Sequence, residues 1–166
     1  MIFSKPLTEI NESLDRRKYL DNALEMPQYR PAKHYEEFFN EVVIPTLTKD
    51  NKIRVIVPAS IKDRRYCHCY VFGFSEPEEK MNNFFFENIL QKDYEQILKE
   101  VVQQGNLVIY WEKHPKSNLQ ILKHSGVFND NDVVQSKWGA GAVLEHGIFD
   151  VPTRYGTHVS YFRRIC

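Results

Sequence analysis

Long apolar runs are missing from this chain. Across 166 residues the longest is a handful, far short of the roughly 20 that a membrane-spanning helix needs. Cysteine is scarce too, and an odd count of three argues against a disulfide framework. The start, Met-Ile-Phe-Ser-Lys-Pro-Leu-Thr-Glu, lacks the basic and then apolar regions of a secretion signal, so a reducing cytoplasm is the expected home. An excess of charge of one sign is also absent. Lys plus Arg and Asp plus Glu each total 22, which gives no global drive toward nucleic acid, an acidic membrane or a basic partner. Any recognition by charge must come from local patches. The chain carries no phosphate loop, zinc box, nucleophile elbow or dinucleotide fingerprint, so neither a cofactor nor a bound metal is expected.

Aromatic side chains are what the chain has in quantity. They make up 13% of the residues and gather in short runs such as Phe38-Phe39, Phe84-Phe85-Phe86 and Tyr161-Phe162, suited equally to a core and to anchoring an interface. The first 25 residues carry a weak helical pattern, with Thr8 as N-cap, Ile10, Leu14 and Leu24 periodic and a charged Asp15-Arg16-Arg17-Lys18 between them. Met26-Pro27 to Arg30-Pro31 breaks it. From Ala32 to Ile44, Tyr35, Phe38, Phe39, Val42 and Val43 mark the inner face of an amphipathic helix, Glu36, Glu37, Asn40 and Glu41 the outer face, and Pro45 the end.

Ile53 to Val57 is β-rich. Alternation in Arg65-Tyr66-Cys67-His68-Cys69-Tyr70-Val71-Phe72-Gly73-Phe74 predicts a partner strand, with Cys67, Cys69 and Val71 on one face and His68 on the other. A helix is predicted from Asp93 to Gln104, with Asp93 as N-cap, Ile97, Leu98, Val101 and Val102 as the buried stripe and Gly105 as the stop. Leu107 to Trp111 reads as a strand apolar on both faces, hence central, and paired with the Cys/His segment. Ala142 to Phe149 and His158 to Ile165 complete the strands. This order predicts one α+β domain over residues 1–166, with helices packed on a mainly antiparallel sheet.

The candidate sites are weak as chemistry. Cys67, His68 and Cys69 invite a metal or redox reading, but strand alternation sends His68 away from both thiols and only Cys166 is left as a further thiol ligand. Trp138-Gly139-Ala140-Gly141-Ala142 is a fragment of a glycine-rich loop better read as a turn into the Ala142 strand. Glu112 with His114, and Glu145 with His146, are the available acid/base pairs, though neighbours on a strand point apart. Lys62-Asp63-Arg64-Arg65 and Arg163-Arg164 are small basic clusters beside Tyr66 and Tyr161, a weak footprint for RNA. The loop with Glu76, Glu78 and Glu79 and the helix face with Glu36, Glu37 and Glu41 are acidic complements for a basic partner.

In its compact size, the opening from Asn22-Ala23-Leu24-Glu25-Met26-Pro27 to Pro45, the aromatic strands and the Gly-rich close from Trp138 through Tyr161, the chain resembles small bacterial immunity proteins of the contact-dependent growth inhibition or polymorphic-toxin kind. The resemblance implies a cytoplasmic, non-enzymatic protein that binds a cognate toxin domain, in many such systems a nuclease, and occludes it, with no membrane and no nucleic acid as partner. Glu76, Glu78 and Glu79 are the partner-binding residues this reading names. Two alternatives stay open: a small enzyme using His68, Glu112 or His114, and an RNA-associated protein using the arginine clusters.

Overall fold

A computed structural model describes residues 7–25, 32–63, 65–75, 78, 81–117, 119–139 and 141–165. Outside them lie the Met26 to Pro31 break, Arg64, Glu76, Glu79, Ala140 and Cys166. The elements in chain order are β1 (Thr8–Glu9), α1 (Leu14–Glu25), α2 (Ala32–Phe38), α3 (Ile44–Thr48), β2 (Ile53–Val57), α4 (Cys67–Val71), α5 (Asn83–Asp93), β3 (Tyr94–Ile97), β4 (Leu107–Lys113), β5 (Gln120–Phe128), β6 (Val133–Lys137), β7 (Val143–Gly147) and β8 (His158–Arg164). One antiparallel sheet runs β1-β8-β4-β5-β6-β7-β2, and β3 also pairs with β8. The helices pack on it in a single domain, as the α+β reading expects.

β4 is central, and its alternation feeds two cores. Val108 and Tyr110 join α1, α3, Phe39, Val43 and Trp138 on one face. Leu107, Ile109 and Trp111 join Cys69, Met81, Phe86 and Leu90 on the other. A β-bulge between Tyr110 and Trp111 places an extra residue, Lys123, in β5, so Leu122 opposes Trp111 while His124 opposes Tyr110. That shift turns His124 to the first face and leaves Ser125, opposite Ile109, on the second.

Several local expectations give way. The Cys/His segment is a short helix, not a strand, so β2 pairs with β7 and β4 pairs with β5 and β8. Its end explains why: Phe74 N–H reaches the Cys69 carbonyl (2.9 Å), Gly73 N–H the Tyr70 carbonyl (3.4 Å), and Gly73 sits at φ +78°, a left-handed helix stop that needs glycine. The helix predicted from Asp93 instead ends there. Asn82 is the cap, accepting from Phe85 N–H (3.0 Å), and Phe86 and Leu90 are the buried i, i+4 pair. Residues 94–97 extend to satisfy the outer edge of β8, with Gln96 and Ile97 buried, Glu95 opposite Arg163, and Leu98 and Val101 exposed.

At the N-terminus Thr8 lies in β1, and Ser13 caps α1 through Arg16 N–H (3.2 Å). Pro45 does not stop its helix. A π-helical turn at Phe39–Val43 shifts the phase, and the helical backbone runs on through Pro45 into α3.

Candidate functional site

Inside the first core, His124, Ser136, Trp138 and His146 form one hydrogen-bonded unit. His146 Nδ1 lies 2.8 Å from the Gly147 carbonyl, which only accepts, so Nδ1 carries the proton and Nε2 is bare. Ser136 then donates its hydroxyl to His146 Nε2 (2.8 Å) and accepts from Trp138 Nε1 (3.0 Å) and from His124 Nε2 (3.0 Å). Every proton is assigned by this chain, and both imidazoles are neutral. Burial agrees with it: His146 is pushed down to about 4 and His124 well below the ordinary imidazole value. His124 Nδ1 has no hydrogen-bond partner.

Tyr155 closes over this unit. Its ring stacks on His124 at 3.8 Å and 5°, and it meets Trp138 edge-on at 5.7 Å and 88°. In front of it opens a pocket of about 240 Å³, lined by Leu24, Tyr35, Phe39, Trp138, Gly139, Arg154 and Tyr155. The Trp138–Ala142 segment is the tight turn the glycines suggest: Trp138 N–H bonds the Ala142 carbonyl (3.1 Å), and Gly139 stands at φ +61°. Gly141 lies against the Phe39 ring, where a Cβ would come within 2.4 Å of it.

Two charged residues of α1 hold the turn that carries Arg154 and Tyr155. Arg17, 5% exposed, donates to the carbonyls of Val151 (3.0 Å), Pro152 (3.1 Å) and Gly156. Asp21, one turn on, accepts from the amide and hydroxyl of Thr153 and from Arg154 Nε (2.8 Å). Within the Asp15-Arg16-Arg17-Lys18 run the pattern gave no warning that Arg17 turns inward. The i, i+4 spacing of Arg17 and Asp21 on the face of Leu20 and Leu24 was the available signal.

The sequence-derived candidates fall in separate places. Cys67 is half-buried and Cys69 is buried, and both are free thiols. The helix turns them apart, so Cys69 Sγ meets Met81 Sδ at 3.9 Å while burial pushes the Cys67 thiol up to about 12. His68 Nδ1 pairs with Ser125 Oγ (2.8 Å), and burial lowers it to about 4. A thiol pushed up and an imidazole pushed down oppose the ion pair a cysteine nucleophile needs. No cluster of three metal-ligating side chains occurs among the described residues.

His114 Nδ1 lies in a turn, bonded by Lys116 N–H (3.3 Å) and near Ser117 Oγ (3.1 Å), while Glu112 lies on β4. Glu145 takes Arg54 and Asn129 and is turned away from the buried His146 network. Asp63 is gripped by Arg65 (2.8 and 3.0 Å) and by the buried Lys137 (3.4 Å), which together hold its carboxyl down at about 2. That part of the basic cluster is internally neutralised. Arg163 pairs with Glu95 (2.6 Å).

Of the acidic loop, Glu78 is exposed, and Glu76 and Glu79 lie outside the described residues. The helix face shows more. Glu36 Oε2 accepts from Ile61 N–H (2.8 Å), and Asn40 clamps Ala59 through both its N–H (2.9 Å) and its carbonyl (3.0 Å). These bonds bind α2 and the π-helical turn to the loop after β2. β2 is the last strand on its side of the sheet, and Ile56, Val57 and Ile61 are exposed, as are Glu37 and Glu41 on the helical segment that Glu36 and Asn40 tie to this loop.

No family model, curated protein or solved structure matches the chain. No helix among the described residues is long and apolar enough to cross a membrane.

Proposed function

We propose that this protein acts by binding rather than by turnover, as an immunity protein that occludes a cognate toxin domain. The observation that carries the reading is the β2 edge. An outer strand whose exposed Ile56 and Val57 continue into exposed Ile61 is apolar surface of the kind that marks a protein interface, and its open edge suits addition of a partner's strand. Exposed Glu37 and Glu41, on the helical segment tied to the loop after β2, fit a partner that is basic on the docking face, as a nuclease is around its substrate cleft. The resemblance to polymorphic-toxin immunity proteins gives that partner its class. Of the residues that the rival enzyme reading names, His68 is buried and pushed down to about 4, far from the neutral pH at which a general base works best, and the neighbouring Cys67 thiol is pushed up.

The test is titration of the purified protein against the toxin encoded in the adjacent reading frame. Protection is expected at one molecule per toxin, with Val57→Asp weakening the complex and Glu37→Lys with Glu41→Lys slowing association in a salt-dependent way. Reversing the charge of Glu76, Glu78 and Glu79 together tests the loop as a second contact. Inactivation of excess toxin by a small molar fraction of this protein would overturn the proposal.

A further inference from the structure

The β4–β5 hairpin outruns the strands on either side of it. β4 pairs with β8 only as far as Trp111 opposite His158, and β5 meets β6 only at Val127 and Phe128, yet β4 and β5 stay paired out to Lys113 opposite Gln120. His114 N–H then reaches the Leu119 carbonyl (3.0 Å), so the arm continues past both strands. Its tip is a built turn. His114 Nδ1 accepts from Lys116 N–H (3.3 Å) and lies 3.1 Å from Ser117 Oγ, which accepts from Leu119 N–H (3.4 Å).

Two properties set this arm apart. The first is charge: between Glu100 and Asp130 the sequence carries Lys113, Lys116 and Lys123 against a single acid, Glu112. All three lysines are exposed, and none makes an ion pair among the described residues. The second is apolar exposure. Leu119, 59% exposed, and exposed Ile121 are alternate residues of an extended segment and share one side of the arm. Exposed Phe84 follows Asn83, whose side chain donates to the Leu122 carbonyl (2.7 Å), so a third apolar side chain stands near the arm's root.

Anionic partners differ in what they offer such side chains. Nucleic acid is met by arginine forks or stacked aromatic rings, which residues 113–117 and 119–123 lack, and a phosphate backbone gives aliphatic side chains little to bury against. A stable protein interface covers roughly 800 Å² on each partner, more than a two-stranded tip presents. An anionic bilayer accepts both kinds of group, with ammonium groups at the phosphate level and aliphatic side chains in the acyl boundary beneath.

We infer that the β4–β5 arm docks on an anionic lipid surface, with Leu119 and Ile121 entering the interface and Lys113, Lys116 and Lys123 on the headgroups. The immunity-protein resemblance implies no membrane partner, but a reversible surface contact needs no spanning helix and is independent of the toxin reading. β6 and β7 separate β5 from β2, so the arm and the proposed docking edge are distinct surfaces.

The experiment is sedimentation of the full chain with vesicles of phosphatidylcholine alone and of phosphatidylcholine with about one-third phosphatidylserine. Binding is expected to the second and not to the first, and it should be lost as salt is raised. Lys113→Ala with Lys116→Ala should weaken it about 25-fold, about fivefold per lysine. Leu119→Asp should abolish it without moving the thermal midpoint, because that side chain is exposed in the fold. Lys18→Ala with Lys49→Ala, exposed lysines outside the arm, should leave it intact. No binding to either vesicle, equal binding to both, binding that the arm variants leave unchanged, or an equal loss from the Lys18 and Lys49 pair would overturn the proposal. So would capture of a duplex DNA or RNA oligonucleotide by a chain that ignores the anionic vesicles, which would assign the lysines to nucleic acid.

Discussion

The two faces of the sheet bury their side chains by different means. Over α1 and α3 the core is threaded with hydrogen bonds, from Arg17 and Asp21 through the Thr153–Tyr155 turn to the His124–Ser136–His146–Trp138 unit. Under α4 and α5 the core is mainly rings and sulfur. Phe86 is its hub, within 5.1–6.0 Å of His68, Phe85, Phe72, Tyr66 and Phe74, and Cys69 and Met81 fill the gap beside it. Even there two buried polar contacts, His68 with Ser125 and Trp111 Nε1 with Ser160 (2.6 Å), each close on a serine of the sheet. The difference teaches where specificity resides. Packed rings tolerate rearrangement, whereas a fully assigned chain of protons admits one arrangement.

Acid should break the comparison most severely. A histidine whose folded pKa is depressed lets the unfolded chain bind more protons below about 6.5, so stability is complete above that pH and is lost as pH falls toward about 4. His68 and His146 should each lose on the order of 3 kcal/mol across that window, and His124 adds in the same direction. Two of the three lie on the α1 face. Urea midpoints measured from pH 7 to pH 4 should fall steeply, and His146→Gln should flatten the slope; a flat wild-type profile would mean that these rings are not neutral and buried. The carboxyl of Asp63, held at about 2, titrates below this window and does not confuse it.

Arg17→Ala tests the same face at neutral pH. It strips three carbonyls of a charged donor and leaves Asp21 with less compensation, for an expected loss on the order of 3–5 kcal/mol in a denaturation midpoint. A loss below about 1 kcal/mol would show that water replaces the guanidinium freely.

The chain's legibility divides along the same line. Strands that alternate into two apolar cores, such as Leu107 to Trp111, read correctly because hydrophobic period and position agree. Cys67 to Phe74 misled because period two also fits one turn of helix when most residues are apolar, and the deciding signal was Gly73 at a left-handed stop. The stripe at Ile97, Leu98, Val101 and Val102 lost to the demand of β8 for an edge partner, a tertiary term invisible in the local pattern. The pocket was hidden for a related reason. Leu24, Tyr35, Trp138 and Tyr155 meet only after the sheet has brought distant segments together.

On the aromatic face the sharper test is volume. Leu90 is fully buried beside Phe86, so Leu90→Ala should cost about 2–5 kcal/mol. Gly141→Ala probes the opposite face by overpacking, since its Cβ would press the Phe39 ring, buried and unable to swing outward. About 1–3 kcal/mol is expected. Comparable losses from the two would show that both faces are equally close-packed despite their different chemistry.

The smallest effect is the most diagnostic of register. Leu98 follows β3 at 52% exposure, past the last residue that pairs with β8, so Leu98→Ala removes little that folding buries and should change stability by about 0.5 kcal/mol or less. Ile97, its neighbour, is 5% exposed and packs in the α1-face core, so Ile97→Ala should cost several times more. In a helix over residues 93–104 the two side chains would share the buried stripe, and both truncations would be expensive. In a strand they point to opposite sides, and only one is. Guanidinium midpoints of this adjacent pair therefore discriminate β3 from a helix without any structural probe, and equal losses would remove β3 from the edge of β8.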